Sequence, residues 1–253
     1  NKTGDKTITD QTLFPIWSMT KPVTTIAALI LKEKNLLDFN DPVSKYIPAL
    51  KNLMCKSKAG IIPCKNEIKI IDLITHLSGL SYYKDFMLDG MRAESLEDLM
   101  GDIAEHPLEF EPGESYFYGL GHDVLGRVIE VISGVSFQTF MQTYIFEPLE
   151  MNHTKFFLTP EEKELMLPLF VRNEKIEGFN ETGITGINDL ITYDMEFKVA
   201  YGSLGLISTP KDFSNFCYML VNSGKFKNKR ILSPESISEL VVRYADGPHS
   251  SDS

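Results

Sequence analysis

Leu13-Phe14-Pro15-Ile16-Trp17-Ser18-Met19-Thr20-Lys21-Pro22 is the stretch on which the reading of this 253-residue chain turns. It sets a serine at the mouth of a helix with a lysine three residues on. On an α-helix, residues i and i+3 share a face at about 5 to 6 Å, so Lys21 can share a proton with Ser18. A helix start also presents unpaired N–H groups and a partial positive charge where an oxyanion would form. The residues that follow, Val23, Ile26, Ala27 and Ile30, recur at i, i+3, i+4 and i+7, and Ile26 to Leu31 is apolar on every side. A helix of that kind is buried, which predicts that Ser18 and Lys21 sit where a core helix meets a cleft.

The Ser-x-x-Lys pattern occurs three times, as Ser18/Lys21, Ser81/Lys84 and Ser208/Lys211. Context separates them. Ser208-Thr209-Pro210-Lys211-Asp212 reads as a helix start, with Thr209 as N-cap, Pro210 at the first position and an acid in the first turn. Ser81-Tyr82-Tyr83-Lys84 follows Ser78-Gly79-Leu80 and precedes no periodic apolar run, so it reads as a loop. The first copy alone leads into a helix apolar on every side with no capping role to account for its pattern.

Composition is that of a water-soluble globular protein, with 43% apolar and 24% charged residues. A net charge of -10 without a Lys/Arg cluster argues against nucleic acid or an anionic membrane as partner. The longest apolar run, Ile26 to Leu31, falls far short of the roughly 20 residues of a membrane span. The first residue is Asn1, so the lack of a leader carries no information. Cys55 and Cys64 bracket a hairpin-like insertion; a disulfide and two free thiols are equally compatible with that spacing. Cys217 falls with Phe213, Phe216 and Leu220 and reads as a packing residue. The glycosylation pattern occurs at Asn1, Asn152 and Asn180, and matters only in a secreted eukaryotic protein.

Along the chain, Pro42 introduces a short helix at 43–47, and further helices are predicted at 71–76, from Ser95 to about His106, from Gly121 to Ser133-Gly134, and from Ser136 to about Phe146. Residues 170–200 are polar and glycine-dotted, an excursion of the kind that walls a site. Helices at 210–222 and 234–243 are joined by a hairpin-like segment over 223–230. Strand candidates are short, at 67–70, 167–171 and 204–208, and the tail 248–253 reads as frayed.

In order, the motifs are Phe14-Pro15-Ile16-Trp17-Ser18-Met19-Thr20-Lys21-Pro22, Asp41-Pro42-Val43-Ser44-Lys45-Tyr46-Ile47-Pro48 and Asp72-Leu73-Ile74-Thr75-His76-Leu77-Ser78-Gly79-Leu80. Then come Phe110-Glu111-Pro112-Gly113-Glu114-Ser115-Tyr116-Phe117-Tyr118-Gly119-Leu120, Val124-Leu125-Gly126, Ile145-Phe146-Glu147-Pro148-Leu149-Glu150-Met151, Gly202-Ser203-Leu204-Gly205-Leu206-Ile207-Ser208-Thr209 and Ile231-Leu232-Ser233-Pro234-Glu235. This series resembles the serine β-lactamase-like family: class C β-lactamases, penicillin-binding D-alanyl-D-alanine peptidases and family VIII carboxylesterases. The resemblance implies an α+β, β-lactamase/transpeptidase-like fold over one domain, 1–253, with a nucleophile region at 13–50, a mainly helical region at 51–222, and a hairpin and last helix at 223–253. It implies that Ser18 is the acylated nucleophile, Lys21 its proton partner and Tyr118 the tyrosine of the family's second motif, with no metal or organic cofactor. The substrate would be a small-molecule ester or amide, and the location periplasmic or secreted.

The chemistry is coherent from below. A serine hydroxyl needs a base, and a lysine serves only where burial or a neighbouring cation disfavours its ammonium form. Lys21 and Tyr118 would titrate as a coupled pair, and which of them takes the proton stays open. Where antibiotic-recognising members carry asparagine two residues after the tyrosine, this chain has Leu120, which cannot hydrogen-bond an acyl amide. Tyr118-Gly119-Leu120 resembles the esterase branch and shifts the expected substrate toward esters. Trp17 either lines an apolar acyl pocket or packs against the helix start. His122 reads as exposed, and His76 as a support for its Ser-Gly turn.

The family's third motif, a Lys, His or Trp two residues before a Gly on a sheet-edge strand, is not reached by Ser253. The expectation is therefore the helical part of the fold with most of its antiparallel sheet missing at both ends, and a further chain segment as the partner completing it. An α/β hydrolase is disfavoured by the lack of Gly-x-Ser-x-Gly, and a metalloenzyme by histidines and cysteines without ligand spacing. The competing readings are a β-lactamase or D-alanyl-D-alanine peptidase, and a non-catalytic β-lactamase-like scaffold.

Overall fold

A computed structural model describes residues 7–82, 93–167, 169–172, 179–182 and 199–242. Its centre is helix α1 (Thr20–Glu33), buried from Thr20 to Leu31 except Pro22, as its all-round apolar sequence requires. Strand β1 (Phe14–Pro15) delivers the chain to a single 3₁₀ turn, Trp17–Met19, which runs directly into α1.

Strands β2 (Met54–Ser57) and β3 (Gly60–Pro63) form an antiparallel hairpin. A disulfide joins Cys55 to Cys64, deciding between the two states that the spacing allowed. Helix α2 (Ile70–Thr75) ends on His76, which adopts the left-handed conformation at φ 61° as its C-cap. The helix thus ends where the 71–76 expectation placed it. Residues 67–70, expected as a strand, make only an isolated bridge between Lys69 and Pro42 before α2 begins at Ile70. An acid three residues on, Asp72, accepts from the Lys69 N–H and turns the segment into a helix start.

Helix α3 (Leu96–Ala104) is capped by the Ser95 hydroxyl accepting from Asp98 N–H. Helix α4 (Gly121–Ser133) terminates at Gly134 in the left-handed region, as the Ser133-Gly134 signal predicts. Helix α5 (Phe137–Met141) passes into a π-helical turn, Gln142–Phe146. After helix α6 (Pro160–Leu165), β4 (Leu169–Arg172) pairs antiparallel with β5 (Phe179–Thr182). Most of the 170–200 excursion, the helix end at 243, the tail 248–253, Asn1 and Lys84 lie outside the described residues.

Strand β6 (Ile207–Ser208) returns to pair with β1, so residues 201–208 run beside the turn that carries Ser18. Helix α7 (Pro210–Val221) is capped by Thr209 accepting from Asp212 N–H, so the third Ser-x-x-Lys copy is a capping motif. The Ser208 hydroxyl lies 2.8 Å from Thr154 Oγ1, inside the core. The buried line of α7 runs through Asp212, Phe216 and Met219, which leaves Cys217 exposed rather than packed as expected. Its position is about 100° round the helix from Phe216. Strands β7 (Lys225–Phe226) and β8 (Lys229–Arg230) make the expected hairpin before helix α8 (Pro234–Glu239).

Helix α1 packs against α4 and α5, and α4 also against α2 and α3, so every helix that carries a site residue shares one core. Among the described residues the sheets are all two-stranded, which matches an α+β chain dominated by helices. No single described helix is long and apolar enough to cross a membrane.

Closing a loop with a sequence separation of 9 restricts the unfolded chain by about 2.5 kcal/mol. Replacing Cys55 and Cys64 together by alanine should therefore lower unfolding free energy by about 2 to 3 kcal/mol in denaturant titration. A loss below about 0.5 kcal/mol would show that the hairpin constrains nothing.

Candidate functional site

The first residue of the site is set by backbone strain. Trp17 has φ 42°, a left-handed conformation that costs a bulky residue about 1 to 3 kcal/mol. The kink presents Ser18 on the surface while Lys21, one turn later, is only 6% exposed. A buried lysine must find acceptors, and Lys21 Nζ finds three: Ser18 Oγ at 3.2 Å, Tyr82 Oη at 3.2 Å and the Ser203 carbonyl at 2.9 Å. The Tyr118 hydroxyl donates to Ser18 Oγ at 2.7 Å, and Nζ lies 4.4 Å from the centre of the Tyr118 ring. Ser18, Lys21 and Tyr118, chosen from a pattern and a motif 100 residues apart, thus meet around one oxygen.

Tyr118 is held by backbone on both sides. The His76 carbonyl accepts from Phe117 N–H at 3.0 Å, and Gly119 N–H points to His76 Nδ1 at 3.5 Å. The His76 ring packs on the Tyr118 ring with centroids 4.5 Å apart. Gly119 must be glycine, because a Cβ there would lie 2.1 Å from the Leu80 carbonyl oxygen. That close pass brings Leu80 to Tyr82 beside Tyr118.

Residues 202–206 are stapled to α1 from the other side. Thr24 Oγ1 donates to the Gly202 carbonyl at 2.8 Å, and Thr20 Oγ1 accepts from Leu206 N–H at 3.2 Å. Asp123, wholly buried in the first turn of α4, accepts from Ser203 N–H at 2.9 Å. Burial raises the Asp123 carboxyl to about 6, partly offset by the adjoining Ser203 and by the Lys21 charge. Burial also pushes the Tyr82 phenol up, with the Asp123 charge adding to it, so Tyr82 stays protonated.

His122 is buried, not exposed as its sequence context suggested. The start of α4 turns it inward, its Nε2 3.3 Å from Thr25 Oγ1 and its ring 5.2 Å from His76. Burial lowers His76 to about 4 and His122 well below its ordinary value, the nearby Lys21 acting in the same direction. Both imidazoles are therefore neutral at neutral pH. Leu120 packs into the core at 3% exposure as the N-cap of α4, and Trp17 is half-buried beside Ser18. Sequence reasoning does not single out Tyr82 or Asp123. For Tyr82 the available signal is its place two residues after the Ser78-Gly79-Leu80 turn; Asp123 sits within an amphipathic helix and gives none.

A family model described as Beta-lactamase matches residues 1–251. The chain belongs to the β-lactamase family. An uncharacterized Mycobacterium tuberculosis protein is 29% identical over 249 residues, covering 89% of this chain and 58% of its own length. A Salmonella typhimurium protein named as a putative D-alanyl-D-alanine carboxypeptidase is 26% identical over 252 residues, covering 93% and 57%. A mutant of simvastatin synthase from Aspergillus terreus, a solved structure, superposes with TM-score 0.75 at 22% identity over 94% of this chain and 57% of that one. The fold is thus the β-lactamase/transpeptidase-like fold, and this β-lactamase-family chain spans a little over half the length of the relatives it matches.

Among the described residues, the one grouping with metal-ligand atoms in reach of each other is Cys55, Cys64 and Glu111. Its sulfurs are tied in the disulfide, and Glu111 accepts from the N–H groups of Lys65 and Asn66.

The histidines make a pH prediction. A folded-state value below the unfolded one gives stability that is present above about 6.5 and lost as pH falls toward 4. His76 alone corresponds to about 3 kcal/mol across that window. In His76→Asn, which keeps a residue tolerant of φ 61°, unfolding free energy should fall less between pH 7 and pH 4 than in the parent chain. Equal slopes would show that His76 titrates normally.

Proposed function

We propose that the chain carries the nucleophilic part of a serine acyl-transfer enzyme that works on an ester or amide, with an ester favoured. The observation carrying this reading is the convergence of Tyr118 Oη and Lys21 Nζ on Ser18 Oγ, at 2.7 and 3.2 Å. Lys21 and the Tyr118 hydroxyl both donate to Ser18 Oγ at rest, so the pair first releases one proton to solvent; Ser18 Oγ then attacks the substrate carbonyl carbon while its own proton passes to the pair. The tetrahedral oxyanion forms at the helix start, where N–H groups and the helix dipole stabilise it. The carbonyl reforms as the leaving alcohol or amine departs with that proton, leaving Ser18 acylated. Water, or a second alcohol, then attacks the acyl group by the reverse proton path.

Tyr82 supports this chemistry as a neutral acceptor for one Lys21 N–H, which leaves Ser18 and Ser203 to take the other two. Leu120 supports the ester preference, since no side-chain amide stands two residues after Tyr118. The name of the Salmonella relative keeps a D-alanyl-D-alanine peptidase as the second reading. A non-catalytic scaffold is the reading of another class, against which stands the retention of a strained Trp17 and a buried Lys21 around one exposed hydroxyl.

A fluorophosphonate probe should add mass at Ser18 and nowhere else, with labelling abolished in Ser18→Ala and slowed at least 100-fold in Lys21→Ala and Tyr118→Phe. An unlabelled, folded protein would support the scaffold. In the full-length protein, a short-chain aryl ester should turn over faster than a chromogenic cephalosporin; the reverse order removes the argument from Leu120. Tyr82→Phe deletes one Lys21 acceptor and should slow Ser18 labelling about tenfold without changing the fold. Unchanged labelling would make Tyr82 a wall residue only.

A further inference from the structure

Asp123 plays no part in the proton transfers above, yet it is a wholly buried carboxyl within the same cluster. Burying it is costly, and an apolar residue would suit this turn of α4 better if packing were its whole purpose. Its Oδ1 accepts from Ser203 N–H at 2.9 Å, and the Ser203 side chain adjoins the same carboxyl. The carbonyl of the same Ser203 accepts from Lys21 Nζ at 2.9 Å. Residue 203 therefore has one end on α4, through Asp123, and the other on the lysine beside Ser18.

The geometry leaves little slack. Gly202 lies against the His122 carbonyl, where a Cβ would come within 2.3 Å, and Thr24 holds the Gly202 carbonyl from α1. We propose that Asp123 is a positioning residue: by gripping the Ser203 N–H from α4 it fixes the carbonyl that aims Lys21 at Ser18. The inference rests on the reading of Ser18 as nucleophile. The groups facing this cluster are His76 at the end of α2, Tyr82 after Gly79, Asp102 from α3, Tyr118 ahead of α4, His122 within it, and Tyr201 and Ser203 from the returning segment. Burial keeps both histidines neutral, so Lys21 is the group of this set that balances a buried carboxylate.

The test compares Asp123→Asn, whose amide oxygen still accepts from Ser203 N–H, with Asp123→Leu, which fills the same space without an acceptor. Two measurements are made on the whole chain after circular dichroism and thermal melting show that each variant folds. The first is the rate of fluorophosphonate labelling at Ser18. The second is cyanate carbamylation of Lys21 in a Ser18→Ala background, read by peptide mass spectrometry with Lys32 as internal standard. Asp123→Asn should label within about threefold of the parent, and Asp123→Leu about 100-fold more slowly, the scale of a 1 Å misplacement. Lys21 should carbamylate several-fold faster in Asp123→Leu and unchanged in Asp123→Asn. The parent labelling rate should also show a break near pH 6 that Asp123→Asn lacks. Parent-like labelling and carbamylation in folded Asp123→Leu overturn the proposal. If the parent itself is not labelled, the reading of Ser18 fails, and the Lys21 carbamylation rates alone decide for or against Asp123. Should Asp123→Leu not fold, Asp123→Ser, too short to reach Ser203 N–H, is read by the same outcomes.

Discussion

The Lys21 amine is the point on which the architecture around the site converges. An ammonium group, with three N–H donors, is costly to bury unless three acceptors meet it, and here they come from three separate parts of the chain. Ser18 arrives on the strained 3₁₀ turn, Tyr82 on the segment after the Gly79 turn, and Ser203 on the segment that returns to pair with β1. Each acceptor requires its own support. The Ser203 segment needs Thr20 and Thr24 along α1 and Asp123 on α4; the Tyr82 segment needs a glycine at 119 to pass the Leu80 carbonyl. Unmet, any one of those donors would cost about 1 to 3 kcal/mol, comparable with a sizeable share of a domain's net stability.

The same cluster is assembled against local preference. Trp17 is held in a left-handed conformation, His76 ends a helix in one, and a buried His122 nitrogen has no partner among the described residues. Consistent local signals elsewhere in the chain, such as the caps at Ser95, Thr209 and Ser233, make these exceptions informative. Trp17, His76 and His122 lie around Ser18 and Lys21, while the other non-glycine left-handed residues, Asn35, Asn52, Glu150, Ser223 and Lys227, fall elsewhere in the chain. The surrounding core, built on α1 and α4, is what makes that local cost tolerable.

Many of these elements are legible in the order of residues. Helix α1 follows from an apolar stripe that becomes apolar on all sides, α4 from a periodic run closed by Ser133-Gly134, and the capping role of Ser208 to Asp212 from its Thr-Pro-x-Asp order. The misplacements have local causes. Residues 67–70 look extended, yet Asp72 caps the chain into a helix at Ile70. Cys217 neighbours Phe216 in sequence, but one residue is about 100° on a helix, enough to move a side chain from core to solvent. His122 carries no mark that distinguishes a buried imidazole from a surface one.

What the sequence alone determined is helix α1, the Ser18/Lys21 pair at its start and the order of motifs that places the chain in the β-lactamase family, because spacing along a helix and residue order are one-dimensional properties. The disulfide state of Cys55 and Cys64, the place of Tyr82 against Lys21 and the grip of Asp123 on Ser203 were decided only by the tertiary structure. Each joins residues through space, and the glycines that permit the approach, Gly119 and Gly202, act by lacking a Cβ that would strike a distant backbone carbonyl. A clash of that kind exists only once both segments are in position.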